Sequence, residues 1–384
     1  MRTTLGDICE IQLGKMLSPK AHAGGKRGPY LRNQNVQWGR FKLDDIVEMD
    51  FDDRERIKFS LRPGDLLVCE GGEPGRAAIW EGQIQECFYQ KALHRLRPHA
   101  DKATPDFLLY RLWLGGIRKE FTGSQGQTTI AHLPAERLST IPVELPDLET
   151  QRRIAKRLKE QMSVVELARF RVQEQLLEVK QLAASLLDHA LCVDVAPVRL
   201  AEIALVVAGR HILGEHHNIE RNGVPYITGP SDFGDLKATP SRWTPSPDVL
   251  CQQGDLLITV KGAGVGKLNF APDDPTCIGR QIMAIRSRTD LVDAWYLYFI
   301  IKQQFKYISE QATGATIPGL SIEQIEGIQL HVPPLPTQRR IAARLREQFE
   351  HLQQLKAALC TQLSALDKLP GAYLREVFGS LTAD

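Results

Sequence analysis

Apolar positions recur along this chain with two periods, and each period appears twice. From Leu158 an apolar stripe continues through Met162, Val165, Val172, Leu176, Val179, Ala183 and Leu186, in alternating steps of four and three over about four heptads. A second stripe holds Leu345, Phe349, Leu352, Leu359, Leu363 and Leu366. The residue that interrupts each stripe is basic, Arg169 in one and Lys356 in the other. This spacing gathers apolar side chains on one helix face. It predicts two long helices packed on each other as an antiparallel coiled coil. The first, over 152 to 191, would span about 60 Å at 1.5 Å per residue. The alternative is two unrelated surface helices, each covering its own domain.

The other period belongs to short strands. Leu66-Leu67-Val68 and Leu256-Leu257-Ile258-Thr259-Val260 are β-leaning runs introduced by Pro-Gly-Asp and Gln-Gly-Asp turns. Helices are expected after them, around Asp106 to Phe121 and Asp293 to Ile308, with Phe107, Tyr110 and Trp113, and Trp295, Tyr296, Tyr298 and Phe299, as core. Polar Gly/Ser/Thr/Gln segments follow, one from Thr122 to Thr129 and one from Ala312 to Thr316, as candidate contact loops.

The two series of elements form one internal repeat. Gln151-Arg152-Arg153-Ile154-Ala155 answers Gln338-Arg339-Arg340-Ile341-Ala342 at a register of 187, which Thr129-Ile130 and Thr316-Ile317 share. Gly64-Asp65-Leu66 answers Gly254-Asp255-Leu256 at 190, and Leu5 answers Leu200 at 195. The drift means small loop differences between equivalent domains of about 140 residues. A duplicated chain points to two similar arms and a target of approximate two-fold symmetry.

Composition narrows the class. With 43% hydrophobic and 24% charged residues in 384, the chain can bury sizeable cores. No apolar run approaches the about 20 residues of a membrane span, and no secretory signal opens the chain, so a cytoplasmic protein is expected. Seven isolated cysteines argue for reduced thiols, against a disulfide framework or a structural zinc site. The net charge of +2 says little about nucleic acid, so any basic surface must be local.

The helix starts carry a second signal. Thr150 and Thr337 are candidate N-caps, followed by Arg152, Arg153, Lys156 and Arg157 and by Arg339, Arg340, Arg344 and Arg346. Cations in a first turn oppose the helix dipole, so an acidic partner is expected: a phosphate backbone, another subunit, or nearby Glu149 and Glu160.

An irregular domain followed by Pro-x-Leu-x-x-Gln-x-x-Ile and a long helix, twice over, resembles the specificity subunit of Type I restriction-modification systems. The resemblance covers essentially the whole chain. It implies an α+β protein: target recognition domains at 1–145 and 192–332, and long helices at 146–191 and 333–384 that join and separate them. Each arm would read one half of a bipartite, asymmetric site in double-stranded DNA. The helices would set the spacing and dock two modification subunits, with Gln151, Arg152, Arg153, Ile154, Gln338, Arg339, Arg340 and Ile341 at the docking stations. No cofactor is expected on this chain. S-adenosylmethionine would sit in the modification subunits, and ATP and Mg²⁺ would enter with restriction subunits. A two-armed adaptor that binds only proteins is the alternative.

Enzyme readings find no support in the residues. The only Pro-Pro, Pro333-Pro334, lacks the surroundings of a DNA methyltransferase tetrad. Lys261 to Leu268 misses the spacing of a phosphate loop and its hydroxyl. Asp65 with Glu70 fails as a metal pair, since Val260 answers Glu70 in the second copy; the aspartates read as turn formers. His211, His216 and His217 lack cysteine or carboxylate partners at zinc spacing. For DNA contact, arginine suits guanine and asparagine or glutamine suits adenine. The first arm offers Lys26, Arg27, Arg32, Asn33 and Asn35, then Arg76, Gln90 and Lys91, then Gln125, Gln127 and Thr128. The second offers Lys261, Lys267, Arg280, Gln281, Thr313 and Thr316. Any one of these is also an ordinary solvated side chain; clustering at matching stations is what favours contact.

Overall fold

The Gly-Asp turns that precede the apolar runs anchor the centre of each domain. Gly64 adopts φ +94° and Gly254 φ +89°, a left-handed conformation that a side chain would strain. Next to them, Asp65 accepts the Arg62 N–H at 2.8 Å and Asp255 the Gln252 N–H at 2.9 Å. Both carboxylates are buried and take a two-pronged ion pair, from Arg97 at 2.7 and 2.8 Å and from Arg286 at 3.0 and 2.8 Å. These aspartates are structural, as the turn chemistry implies.

The computed structural model describes residues 2–17, 26–121, 132–262, 264–304 and 319–381. They fall into two units, 1–173 with 361–384, and 174–360. In the first, an antiparallel sheet runs Cys9–Leu13, Leu93–Pro98, Leu66–Cys69, Ala77–Ile79. A smaller one runs Val47–Asp50, Arg27–Leu31, Phe88–Tyr89, its last pairing parallel. The second unit repeats the plan with Ala204–Ala208, Ile282–Ser287, Leu256–Thr259, Leu268–Phe270, and with Arg242–Thr244, Val224–Ile227, Thr276–Ile278, Leu250–Cys251. Leu66–Cys69 is an unbroken apolar run because both its faces are covered. Leu66 and Val68 pack with Phe107, Leu108 and Leu112, while Leu67 and Cys69 pack with Phe51, Trp80 and Phe88.

Two helix boundaries differ from the sequence expectation. The domain helices span Pro105–Ile117 and Ala294–Gln303. The first stops short of Phe121 because Gly115 and Gly116 weaken its last turn and Lys119 turns left-handed at φ +57°. Residues 305–308 lie outside the described residues. The candidate contact loops at 122–129 and 312–316 lie outside them as well.

The long helices start earlier than expected, at Leu148–Leu191 and Leu335–Ser380. Thr150 is therefore not the N-cap. Asp147 caps instead, accepting the Thr150 N–H at 2.9 Å and its hydroxyl at 2.8 Å. In the second helix the Pro334 carbonyl accepts the N–H groups of Thr337 and Gln338 at 2.9 and 3.1 Å. The arginine pairs thus stand in the second turn, where the dipole penalty has largely faded. The second helix also continues through Pro370 without ending.

Within the first unit the helices run antiparallel, as the seam implied. Arg157 pairs with Glu376 at 2.7 Å, and further along Arg169 pairs with Asp367 at 3.1 Å, the latter without hydrogen-bond alignment. Leu158 and Met162 join Leu374, Val377 and Phe378 in the core beneath Phe107. Arg169, the residue that breaks the stripe, is half-buried between Glu166 and Asp367. In the second unit, Leu187 and Leu191 share a core with Ala342 and Leu345. Each unit is thus a domain, the start of the helix that follows it, and the far half of the other long helix.

Candidate nucleic-acid interface

The repeated glutamines are the first residues whose place the structure explains. Gln151 is fully buried: its carbonyl accepts the Thr104 N–H at 2.9 Å, and its amide donates to the carbonyls of Lys102 and Pro146, both at 2.9 Å. Gln338 does the same with Asp293 at 2.9 Å, Leu291 at 2.9 Å and Pro333 at 2.7 Å. Each glutamine therefore clamps its long helix to the loop before the domain helix. Ile154 is buried and Ile341 half-buried against the same cores, so these side chains face inward. Arg152, Arg153, Arg339 and Arg340 beside them are exposed.

A second repeated construction gathers polar groups at one end of each smaller sheet. Gln90 donates its backbone N–H to Leu31 at 3.1 Å, and Gly279 donates to Ile227 at 2.8 Å. Lys15 donates to Tyr89 and Arg210 to Ile278, both at 3.1 Å. Gly14 donates to Leu93 and Gly209 to Ile282, both at 3.0 Å. The hairpin joins the frame through Glu70 to Ala92 at 3.0 Å and Val260 to Gln281 at 2.8 Å. Its turn closes from Gly75 to Cys69 at 2.9 Å in one unit and from Gly266 to Thr259 at 2.7 Å in the other. These bonds put Lys15 with Arg210, Arg76 with Lys267, and Lys91 with Arg280 at equivalent stations.

The frame explains two glycines. A Cβ on Gly14 would lie 2.3 Å from the Gln90 carbonyl oxygen, and one on Gly209 2.4 Å from that of Gly279. Sequence reading missed both, together with Lys15 and Arg210. The signal was present: Gly14-Lys15 and Gly209-Arg210 keep the 195 register of Leu5 and Leu200.

In the first unit the candidate residues Arg32, Asn33, Arg76, Gln90 and Lys91 come together here. Asn33 donates to the Gly71 carbonyl at 2.8 Å and accepts at its own carbonyl from Arg76 at 3.1 Å. Arg32 is held by Asp45 at 2.7 Å, and Arg76 by Glu73 at 3.2 Å. The other oxygen of Glu73 accepts the Trp38 indole N–H at 2.7 Å. Four buried polar atoms in this cluster, Arg32 Nε, Asn33 Oδ1, Arg76 Nε and Gln90 Oε1, have no hydrogen-bond partner among the described residues. Such atoms are costly unless something else satisfies them, which fits a surface completed by a ligand.

Other candidates stand apart. Lys26 and Arg27 lie at the opposite end of strand Arg27–Leu31 from Arg32, and Lys26 pairs with Asp53 at 2.6 Å. Asn35 is buried and caps its own turn through the Arg32 N–H at 2.8 Å, so it is structural. In the second unit Lys261, Lys267 and Arg280 are exposed and Gln281 is half-buried. Gln125, Gln127, Thr128, Thr313 and Thr316 lie outside the described residues.

Burial pushes the thiols of Cys9, Cys87 and Cys251 up to about 12 and that of Cys69 up to about 11, far from a nucleophile's range. No cluster of three His, Cys, Asp or Glu side chains among the described residues could hold a metal ion, and none of their helices is long and apolar enough to cross a membrane.

Comparison with known proteins agrees on one family. The sequence pattern of the Type I restriction modification DNA specificity domain matches residues 1–178 and 193–364. The putative type I restriction enzyme MjaX specificity subunit of Methanocaldococcus jannaschii is 27% identical over 372 residues, covering 89% of this chain and 85% of the relative. Among solved structures, a chain from one described as "Structural basis underlying complex assembly and conformational transition of the type I R-M system" superposes with a TM-score of 0.83 at 24% identity, over 98% of this chain and 97% of that one. The HsdS subunit from Thermoanaerobacter tengcongensis gives 0.60 at 23% identity, over 98% and 96%. With the pattern matched twice, on two halves whose main four-stranded sheets share one strand order, this chain belongs to the Type I restriction modification DNA specificity domain family.

Proposed function

We propose that this chain is the sequence-specificity subunit of a Type I restriction-modification complex, each unit reading one half of a bipartite, asymmetric site in double-stranded DNA. The observation that carries this is the repeated polar edge: one backbone frame, built twice, bears cations at matching stations but different side chains between them. Identical frames suit two copies of one task, and divergent side chains suit two different half-sites. A protein-only adaptor has no comparable observation in its favour.

The chain itself contributes recognition and assembly, and the chemistry belongs to its partners. Two modification subunits that carry S-adenosylmethionine would dock on the long helices, and restriction subunits would bring ATP and Mg²⁺. The outward face of the first helix offers Arg152 and Arg153, and beyond them Val164, Leu167 and Phe170, which are 69%, 52% and 57% exposed. Large apolar side chains left open at this spacing fit a partner helix; the buried Gln151, Gln338 and Ile154 act from beneath by fixing the helix starts. The cytoplasm, where the chromosome is, is the expected location.

The test is co-expression with the modification subunits and mapping of methylated adenines on genomic DNA. A bipartite motif with two unlike halves supports the reading. Exchanging residues 1–140 for the arm of a relative should then change one half only. A change in both halves, or no methylation dependent on this chain, refutes it.

A further inference from the structure

The two units offer an internal comparison that sorts phosphate contacts from base contacts. If the arms read different sequences, whatever they share must touch what the half-sites share, and the half-sites share only the sugar-phosphate backbone. This argument rests on the DNA-specificity reading above.

Three cation stations are common to both units, and their environments differ. Lys15 is spoken for: its side chain is 12% exposed and donates to Glu55 at 2.6 Å and to the Asp50 carbonyl. Its equivalent Arg210 is 72% exposed, with only a loose pair to Asp248 at 3.6 Å among the described residues. Arg76 is 17% exposed and locked between Glu73 and the Asn33 carbonyl, whereas Lys267 is exposed with no ion pair among the described residues. At the third station both members are alike. Lys91 and Arg280 are exposed, and neither has an ion pair or side-chain hydrogen bond among the described residues. Both follow the residue whose N–H bonds the strand end, Gln90 to Leu31 and Gly279 to Ile227. Each therefore leaves its sheet from the same backbone position.

We propose that Lys91 and Arg280 are a matched pair of phosphate clamps that seat each arm on the DNA backbone, and that Arg32, Asn33 and Gln90, which have no like-charged or amide counterparts at matched stations, belong to the base-reading set of the first half-site. A free cation fixed at its Cα by a repeated frame can hold a phosphate at the same register in both arms. Asn33 Oδ1 and Gln90 Oε1, buried and without a partner among the described residues, leave amide capacity that a side-chain rotation would turn to a base edge.

The experiment uses the full chain assembled with its modification subunits. Two duplexes of one length are compared, one carrying the mapped site and one scrambled, between about 50 and 200 mM salt. Lys91→Ala and Arg280→Ala should each lower the slope of log affinity against log salt by about 0.9, one released counterion equivalent. Both duplexes should weaken by the same factor, and the methylated motif should not change. Lys91→Arg and Arg280→Lys should keep the slope. Asn33→Ala should instead relax the first half of the motif and leave the slope alone. A slope unchanged by Lys91→Ala and Arg280→Ala would overturn the clamp, as would a half-site altered by either. If the unsubstituted complex shows no salt-dependent retention of either duplex, the DNA-specificity reading itself fails, and with it the clamp.

Discussion

At the scale of single residues, the buried glutamines and a buried histidine make the sharpest demands. Truncating Gln151 would strip one N–H and two carbonyls of their partners inside the protein. Gln151→Ala and Gln338→Ala should each cost about 2–4 kcal/mol of stability, read as a fall in urea midpoint of the corresponding unit. His94 is fully buried, with Nε2 2.8 Å from the Leu133 carbonyl oxygen and Nδ1 without a partner among the described residues. Burial holds its pKa below the ordinary histidine value of 6.5, against smaller opposing pulls from that carbonyl, Glu70 and Glu136. The unfolded chain then binds a proton that the folded one refuses, so this stability is complete above pH 6.5. It is lost as pH falls from there towards the lower folded pKa, by at most about 1.4 kcal/mol per pH unit. The second unit has Met283 at the equivalent place in its sheet. His94→Met should therefore flatten the acid limb of a melting-temperature profile, and an unchanged limb would clear His94 of the effect.

At the scale of elements, the seam of the long helices was legible because a coiled coil writes its contacts into sequence spacing. Leu158, Met162, Val165, Val172 and Val179 are all buried as the stripe required. The helix starts were less legible. Thr150 looked like a cap, but Asp147 three residues earlier accepts Thr150's own N–H and hydroxyl and starts the helix before it. The polar edge was legible only in part. Arg76, Lys91, Lys267 and Arg280 could be picked from charge, but burial of Asn35 and the locking of Arg76 depend on pairings between distant strands. Gly14 and Gly209 carry no side chain for a hydrophobic pattern to show, and only their shared register of 195 marks them. Gly14→Ala should push the strand end away from the Gln90 turn and weaken recognition of the first half-site alone; Gly209→Ala should do so for the second. Methylation of duplexes mutated in one half at a time would show whether the effects separate in this way.

At the scale of the whole molecule, the proposed function puts assembly and reading on different surfaces. Charge reversal at Arg152, Arg153, Arg339 and Arg340 should weaken the association of modification subunits while leaving the fold intact, because these side chains are exposed and the clamping glutamines lie beneath them. Unchanged sedimentation of the complex would remove these cations from the docking surface. The expectation that the long helices set the spacing of the half-sites is checked by inserting one heptad after Val172, which adds about 10 Å of helix and should lengthen the spacer by about three base pairs.

The far half of the second long helix has a consequence for biosynthesis. Leu374, Val377 and Phe378 complete the core of the first unit around Phe107 and Leu158, yet the ribosome makes them after all of the second unit. At 5–20 residues per second, the roughly 200 intervening residues leave that apolar surface uncovered for on the order of 10–40 s. The arm made first is thus the arm finished last. A nascent chain halted before Leu374 would present an incomplete first unit beside a second unit that already has everything it needs, and chaperone capture should concentrate on the older half of the chain.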